Sequence, residues 1–511
     1  MENRKTAAKA HRPQSHPSPQ QAIVVGGGVS GLLAARDLQA AGFQVSIYEA
    51  SGTWGGCVGR HEVAGTVLDS GAESFATRNT AVADLAAELG LAERIVTPNP
   101  AGAWVWLPDG PVPLPRTGIL GIPSDLNAPE VRAALGASGV LRAALDAKMP
   151  VTIGTTEEVS SVAELVRARM GKRVLERLVA PVVAGVHSAD PEKLDVDAVA
   201  PGLRAGIREH GSLAAAVAAQ RAASTQPGSA VAGLAGGMHT LVAALVAALR
   251  EAGVAMYAGY QIKAVYRGDT DAEAAPAPKK YDGGAPSPWI VDWEHGTDRG
   301  FESAKLLVMA TDGPAAVALL TPELPELEPF TPAPGPDVRL VTLVVDVPEL
   351  DSAPRGTGIL VAPDVPGIKA KALTHATAKW DWLADGTGPG THVLRLSYGR
   401  AGVKPSDAVR LTPATPREDD LIATALADAS KLLGLPVTES DLLGADIVRW
   451  KGALPFAAVG HQAKMAQLQS VVAKVPGLVL TGGWMSGNGL AAVVSGTRRA
   501  VRAAVDRSRK V

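Results

Sequence analysis

The stretch Ile23-Val24-Val25-Gly26-Gly27-Gly28-Val29-Ser30-Gly31 constrains this chain more than any other part of its sequence. Residues 21–25, QAIVV, read as a buried strand. GLLAARDLQAAG (31–42) then places Leu32, Leu33, Ala35, Leu38 and Ala41 on one helical face, and Gly42 suits the positive φ at a helix end. FQVSIYEA (43–50) alternates as a second strand. This is a βαβ unit, and its two strands should pair in parallel. Gly26, Gly28 and Gly31 make a G-x-G-x-x-G turn. The first glycine permits the tight turn, the second lets a pyrophosphate approach the backbone, and the third lets helix and strand pack closely. The helix start offers free N–H groups to phosphate. Glu49, closing the second strand, can accept hydrogen bonds from ribose hydroxyls. A ligand-free turn also uses glycines, but strand, helix, second strand and terminal acid together point to a dinucleotide.

Glu49 suits nicotinamide and flavin dinucleotides alike. The following residues, Ala50-Ser51-Gly52-Thr53-Trp54-Gly55-Gly56, bring a second glycine pair, where a nicotinamide domain would normally enter another helix. A flavoprotein instead lays a second backbone loop on the dinucleotide. The block Leu480-Thr481-Gly482-Gly483-Trp484, continuing to Gly489, supplies another strand, glycine turn and helix, whose N-terminus could face a flavin ring and favour negative charge on the reduced flavin. One dinucleotide gripped by both ends of the chain makes its domain discontinuous.

At 511 residues the chain should form two or three domains. Its net charge of −2 gives no reason to expect nucleic acid. The single cysteine, Cys57, rules out an intramolecular disulfide framework and fits a reducing compartment. The ten histidines show no metal-ligand spacing, so no metal is expected. No apolar run reaches the length of a membrane span, so the expected location is cytoplasmic, with peripheral membrane contact open. The expected organisation is a disordered arm at 1–20 and a first dinucleotide segment at 21–100. A helical domain follows at 101–220, then a second dinucleotide segment at 221–332 with a mobile hairpin loop at 268–288. A substrate domain at 333–470 and a third dinucleotide segment at 471–508 complete it.

Eight segments carry a resemblance: GGGVSGLLAA (26–35), EASGTWGG (49–56), DSGAESFATRN (69–79), GILGIPSD (118–125), LVAPVVAGVHSADPEKL (178–194), LAGGMHTL (234–241), ALPFAAVGHQ (453–462) and LTGGWMSGNGLAAVVSGTRRA (480–500). In these the chain resembles the protoporphyrinogen/coproporphyrinogen oxidase family, within the wider group of monoamine oxidase and phytoene desaturase. KALTHATAKWDWLA (371–384) and VLRLSYGR (393–400) look like the bacterial branch that acts on coproporphyrinogen III. The resemblance implies a mixed α/β fold: a Rossmann-like FAD domain of the amine oxidase type with a mixed sheet, plus substrate and helical domains. It implies one non-covalent FAD, removal of six electrons from a porphyrinogen, molecular oxygen as oxidant and hydrogen peroxide as product. A peripheral membrane or a ferrochelatase is an implied partner.

The resemblance places flavin contacts at Gly26, Gly27, Gly28, Ser30, Gly31, Glu49, Ala50, Gly55, Gly56, Ile262, Ala310, Gly482, Gly483, Trp484, Met485 and Asn488. It places substrate contacts at Glu73, Arg78, Arg395 and Lys371, with Lys379 as a weaker carboxylate anchor. No residue is expected to act as general acid or base, because hydride passes to flavin N5 and the product gains aromaticity. His461 reads as a structural histidine. Cys57, Arg60, His187 and Ala103 depart from the family pattern, so contacts there do not carry over. Covalent-flavin amine oxidases need a cysteine near the C-terminus, and Cys57 is not one. A carotenoid enzyme should have an apolar tunnel without carboxylate anchors. A flavin-free binding protein of the same fold would not need an intact glycine turn with Glu49.

Overall fold

The structure is a computed structural model describing residues 20–116, 118–156, 161–223, 230–268, 288–333, 335–363, 365–399, 418–452 and 458–509, without the side chains of 186, 187 and 418. The expected arm, but for residue 20, and the expected hairpin loop, but for its end residues 268 and 288, fall outside the described residues, as does the side chain of His187.

Strand β1 (Gln21–Val25), helix α1 (Val29–Ala40) and strand β2 (Gln44–Glu49) form the expected βαβ unit. Five strands make one sheet, in the order Ala255–Ala258, β2, β1, Leu306–Met309, Leu478–Leu480. Every pairing in it is parallel, with Val24 beside Val308 and Val308 beside Val479. The expected mixed sheet is therefore corrected. The antiparallel strands Gln261–Arg267, Trp289–His295 and Asp298–Ala304 form a separate sheet instead. A parallel sheet must be covered on both faces, which explains its continuous apolar strands. On one face Leu32, Leu33 and Leu38 of α1 pack with Leu245 and Val494 from helices His239–Glu251 and Leu490–Ser508.

A second sheet has seven strands, in the order Leu442–Trp450, Val338–Asp346, Thr391–Tyr398, Ala372–His375, Gly358–Val361, Trp104–Leu107, Gly110–Pro113. Its last two strands come from residues assigned by sequence to the helical domain. The prolines of Gly110–Pro113 suggest a boundary, but that strand pairs with Trp104–Leu107, which lies beside Gly358–Val361 with alternating burial. The helices between 129 and 223 pack on one face of this sheet. Leu135, Val166 and Leu178 share a core there with Val341, Leu373 and Leu396. A capping box between Ser161 and Glu164 starts helix Val162–Arg169, and buried Arg169 closes on Asp146 at 2.5 Å.

Candidate flavin and substrate site

The glycine turn is sterically determined. A Cβ on Gly31 would lie 1.8 Å from the Gly26 carbonyl oxygen. One on Gly26, whose φ is +108°, would lie 2.8 Å from the Ala310 carbonyl. One on Gly27 would run into the Trp54 ring at 2.5 Å. Gly28 differs: its φ is −70° and nothing lies within 4 Å of an added Cβ. The protein itself has no steric need of glycine there. Gly28 is also the N-cap of α1, and no side chain caps that helix. No side-chain oxygen among the described residues takes up the first N–H groups of α1.

The same arrangement recurs at the other end of the chain. Gly489 is the N-cap of helix Leu490–Ser508, with φ −76°, no side-chain cap and nothing within 4 Å. The two glycine turns are neighbours. Ala310 donates its N–H to the Val25 carbonyl, and Thr481 donates to the Met309 carbonyl, so both glycine turns flank Ala310–Thr311. Gly482, at φ +125°, approaches the Thr311 carbonyl.

The carboxylate of Glu49 accepts from Gly27 N–H at 2.6 Å and Ser51 N–H at 2.7 Å. Gly55 donates to the Gly27 carbonyl at 2.8 Å, laying the second glycine loop on the first. Gly56 holds a φ of +56° beside the Gly28 backbone. Ser30 is buried in α1, and Ala50 is exposed just beyond Glu49. Ile262 is buried in the core beside the sheet, and its strand pairs it with Trp293. Trp484 is buried and Met485 half-buried in the turn Gly483–Ser486. The Trp484 indole N–H and the Asn488 side-chain oxygen have no hydrogen-bond partner among the described residues. Two bare helix starts, an acid at the strand end and two orphaned polar atoms fit a flavin dinucleotide.

Cys57 follows this loop. Its thiol reaches solvent but is walled in by protein, which pushes its pKa up. Its carbonyl accepts from Ala72 N–H at 2.8 Å and leaves no room for a side chain at Gly71. That contact leads to Glu73, which meets Lys379 and, at 3.1 Å, Arg395. Arg395 also donates to the Gly71 carbonyl. Burial alone would raise the Glu73 pKa, but the two cations together hold it below the ordinary carboxylate value. Two cations thus meet one carboxylate.

The other expected substrate residues lie elsewhere. Arg395 pairs in register with Thr342 and Thr374, so it shares their face of the seven-stranded sheet. Lys371 is almost fully buried and donates to Ser188 on the helical side. Alternation in a strand puts it with Leu373, on the face opposite Arg395. Arg78 is exposed in the turn before helix Ala81–Glu88. The structure thus brings Glu73, Arg395 and Lys379 together and leaves Lys371 and Arg78 apart from them. Sequence reading missed the neighbouring contact of His61 with Asp446 at 2.5 Å, and the unpartnered Thr342 hydroxyl beside Arg395. Neither residue sits in a recognisable motif.

Residues 29–506 match the flavin containing amine oxidoreductase family. The coproporphyrinogen III oxidase of Mycobacterium tuberculosis is 28% identical over 496 residues, spanning 96% of this chain and 98% of that protein. The Bacillus subtilis protein of the same name is 24% identical, over 92% of this chain and 94% of its own length. A crystal structure of a protoporphyrinogen oxidase candidate from Exiguobacterium sp. 255-15 superposes with a TM-score of 0.77 at 24% identity, covering 96% of this chain and 99% of that one. Cyclohexylamine oxidase from Brevibacterium oxydans gives 0.64 at 17% identity, covering 96% and 100%.

Proposed function

The chain belongs to the flavin containing amine oxidoreductase family, and from that premise we propose that it binds one FAD non-covalently and oxidises coproporphyrinogen III to coproporphyrin III in haem biosynthesis. The observation that carries the reading is the pair of glycine turns at Gly26 and Gly482, set on either side of Ala310–Thr311 and each leading to a helix whose glycine N-cap, Gly28 or Gly489, has no side-chain cap. The full-length similarity to coproporphyrinogen III oxidases supports the substrate.

In this reading α1 and the Gly26–Gly31 turn hold the pyrophosphate, and Glu49 holds the ribose. The turn from Gly482 to Gly489 takes the ring, with the start of helix Leu490–Ser508 favouring negative charge there. When bound, the flavin supplies a hydride acceptor that dioxygen restores, with hydrogen peroxide as the by-product. The protein's own part is to orient and to exclude water. Glu73, Lys379 and Arg395 form one wall, where their surplus positive charge attracts a substrate carboxylate. Arg78, exposed before helix Ala81–Glu88, is left free to meet a second carboxylate. We assign no acid or base. Among the described residues no helix is long and apolar enough to cross a membrane. Exposed Leu141, Leu145 and Ile153 would be the face for a peripheral contact.

The test is direct. Purified protein should be yellow and release FAD on denaturation. Under air it should oxidise coproporphyrinogen III faster than protoporphyrinogen IX, followed by product fluorescence, with peroxide formed. A strong preference for protoporphyrinogen would overturn the substrate assignment, and a protein that takes up no FAD would overturn the whole reading.

A further inference from the structure

Helix His461–Val472 begins between two parts of the molecule that are otherwise far apart in sequence. On one side its leading segment is fastened to residues 193–197 of the helical region. Val459 N–H donates to the Lys193 carbonyl at 3.2 Å, Ala458 bridges Leu194, and Gly460 N–H donates to the Asp195 carboxylate at 3.2 Å. On the other side the ring Nε2 of His461 lies 2.9 Å from the Trp484 carbonyl, in the turn Gly483–Ser486. A carbonyl accepts, so Nε2 carries the proton. That turn is four residues long, and its other backbone bonds start at Gly482 and Gly483 rather than at Trp484. Trp484 itself is buried, with its ring against Gly313.

We propose that His461 is a positioning residue for the flavin: through the Trp484 carbonyl it fixes the Gly482–Gly489 turn, and its helix straps that turn to the helical region. The inference rests on the flavin reading above. It gives His461 a role that a merely structural histidine lacks. Loss of its N–H leaves the Trp484 carbonyl buried without a donor and lets the turn relax, so the ring side of the site loosens while the phosphate turn, held by Gly26–Gly31, does not.

The experiment compares holoenzymes carrying His461→Leu, His461→Gln and Asp195→Asn. His461→Leu should release FAD about ten- to fiftyfold faster, as expected for a buried carbonyl left without its donor. It should also shift the flavin absorption bands and lower kcat more than it changes KM. His461→Gln, whose amide can donate, should restore most of each. Asp195→Asn keeps one oxygen for its own helix cap and loses the acceptor for Gly460. It should speed release about two- to threefold, in the same direction, and it serves if His461→Leu does not fold. Unchanged FAD release and spectrum in all three variants would overturn the role of His461, as would equal impairment by Leu and Gln. A wild-type protein without flavin would overturn the functional reading and this inference together, whereas a yellow wild type with an unaltered His461→Leu would overturn the inference alone.

Discussion

In the proposed reading the two glycine-started helices do the same job by different means. At α1, Gly26, Gly27 and Gly31 are each pinned by neighbouring atoms within 2.8 Å of a would-be Cβ, and Gly28 alone faces open space. At helix Leu490–Ser508, Gly482 is required by its backbone angle, the nearest atom to an added Cβ being 3.3 Å away, and Gly489 is unconstrained. The first turn is a rigid mould. The second is held from outside its own glycines, by the His461 bond and by Ser486, whose side chain leaves no room for one at Gly496. A pyrophosphate has a fixed shape and repays a mould, whereas a ring that changes charge on reduction tolerates an adjustable seat.

Substitutions can break that contrast, and the largest effect belongs to Gly31→Ala. Its Cβ cannot coexist with the Gly26 carbonyl, so we expect FAD binding weakened at least about a hundredfold, or no folded protein, by fluorescence titration and thermal melting. Near-normal binding would mean the mould is soft. Gly28→Ala is next and more telling: melting of the flavin-free protein should stay within about 0.5 kcal/mol of the parent, while FAD affinity falls roughly thirtyfold. Equal losses in both would deny that the open space belongs to a ligand. Gly489→Ala should weaken binding only severalfold but alter the flavin spectrum, the reverse of the pattern at Gly28.

Smaller effects report on the cleft beside these turns. Alkylation of Cys57 by iodoacetamide should be slow at neutral pH, because its raised pKa keeps the thiol protonated, and slower still with FAD bound. Fast alkylation indifferent to FAD would place Cys57 outside the site. Acid should act in two windows. Burial, with the charge of neighbouring His392 adding to it, lowers the pKa of His375 to about 3, and His392 is lowered too, chiefly by burial. Their stabilisation is complete above the ordinary 6.5 and is lost as pH falls below it. Glu73 is lowered from 4.5, so its contribution is complete above 4.5 and goes as pH drops through the lower folded value. Denaturant titrations should show stability declining from about pH 6.5. Glu73→Gln should flatten only the part of that decline below about pH 4.5.

How much of this could be read in advance follows the same division. The βαβ unit, Glu49 and the closing strand are legible because backbone shape dictates residue type: only glycine fits where Gly31 meets Gly26, and that necessity writes itself into the sequence. The Gly482 turn is legible as a glycine block, though not the short helix inserted before Leu490. The cleft is less so. Arg395 and Lys371 are both cations on neighbouring strands, and only the register, Thr374 beside Arg395, shows that they point to opposite faces. Trp104–Leu107 is legible as a strand, whereas Gly110–Pro113 was hidden because its prolines tolerate a sheet edge, which sequence pattern cannot tell from a loop.

The five-stranded sheet gathers its members from almost the whole length of the chain, with Leu478–Leu480 taking the outer place beside Leu306–Met309. During synthesis the earlier strands emerge long before this last neighbour, leaving an apolar strand edge uncovered on the ribosome. Cofactor loading must then wait for translation to reach the final helix, and a nascent chain stalled before residue 478 would expose a half-built sheet to aggregation and to chaperones.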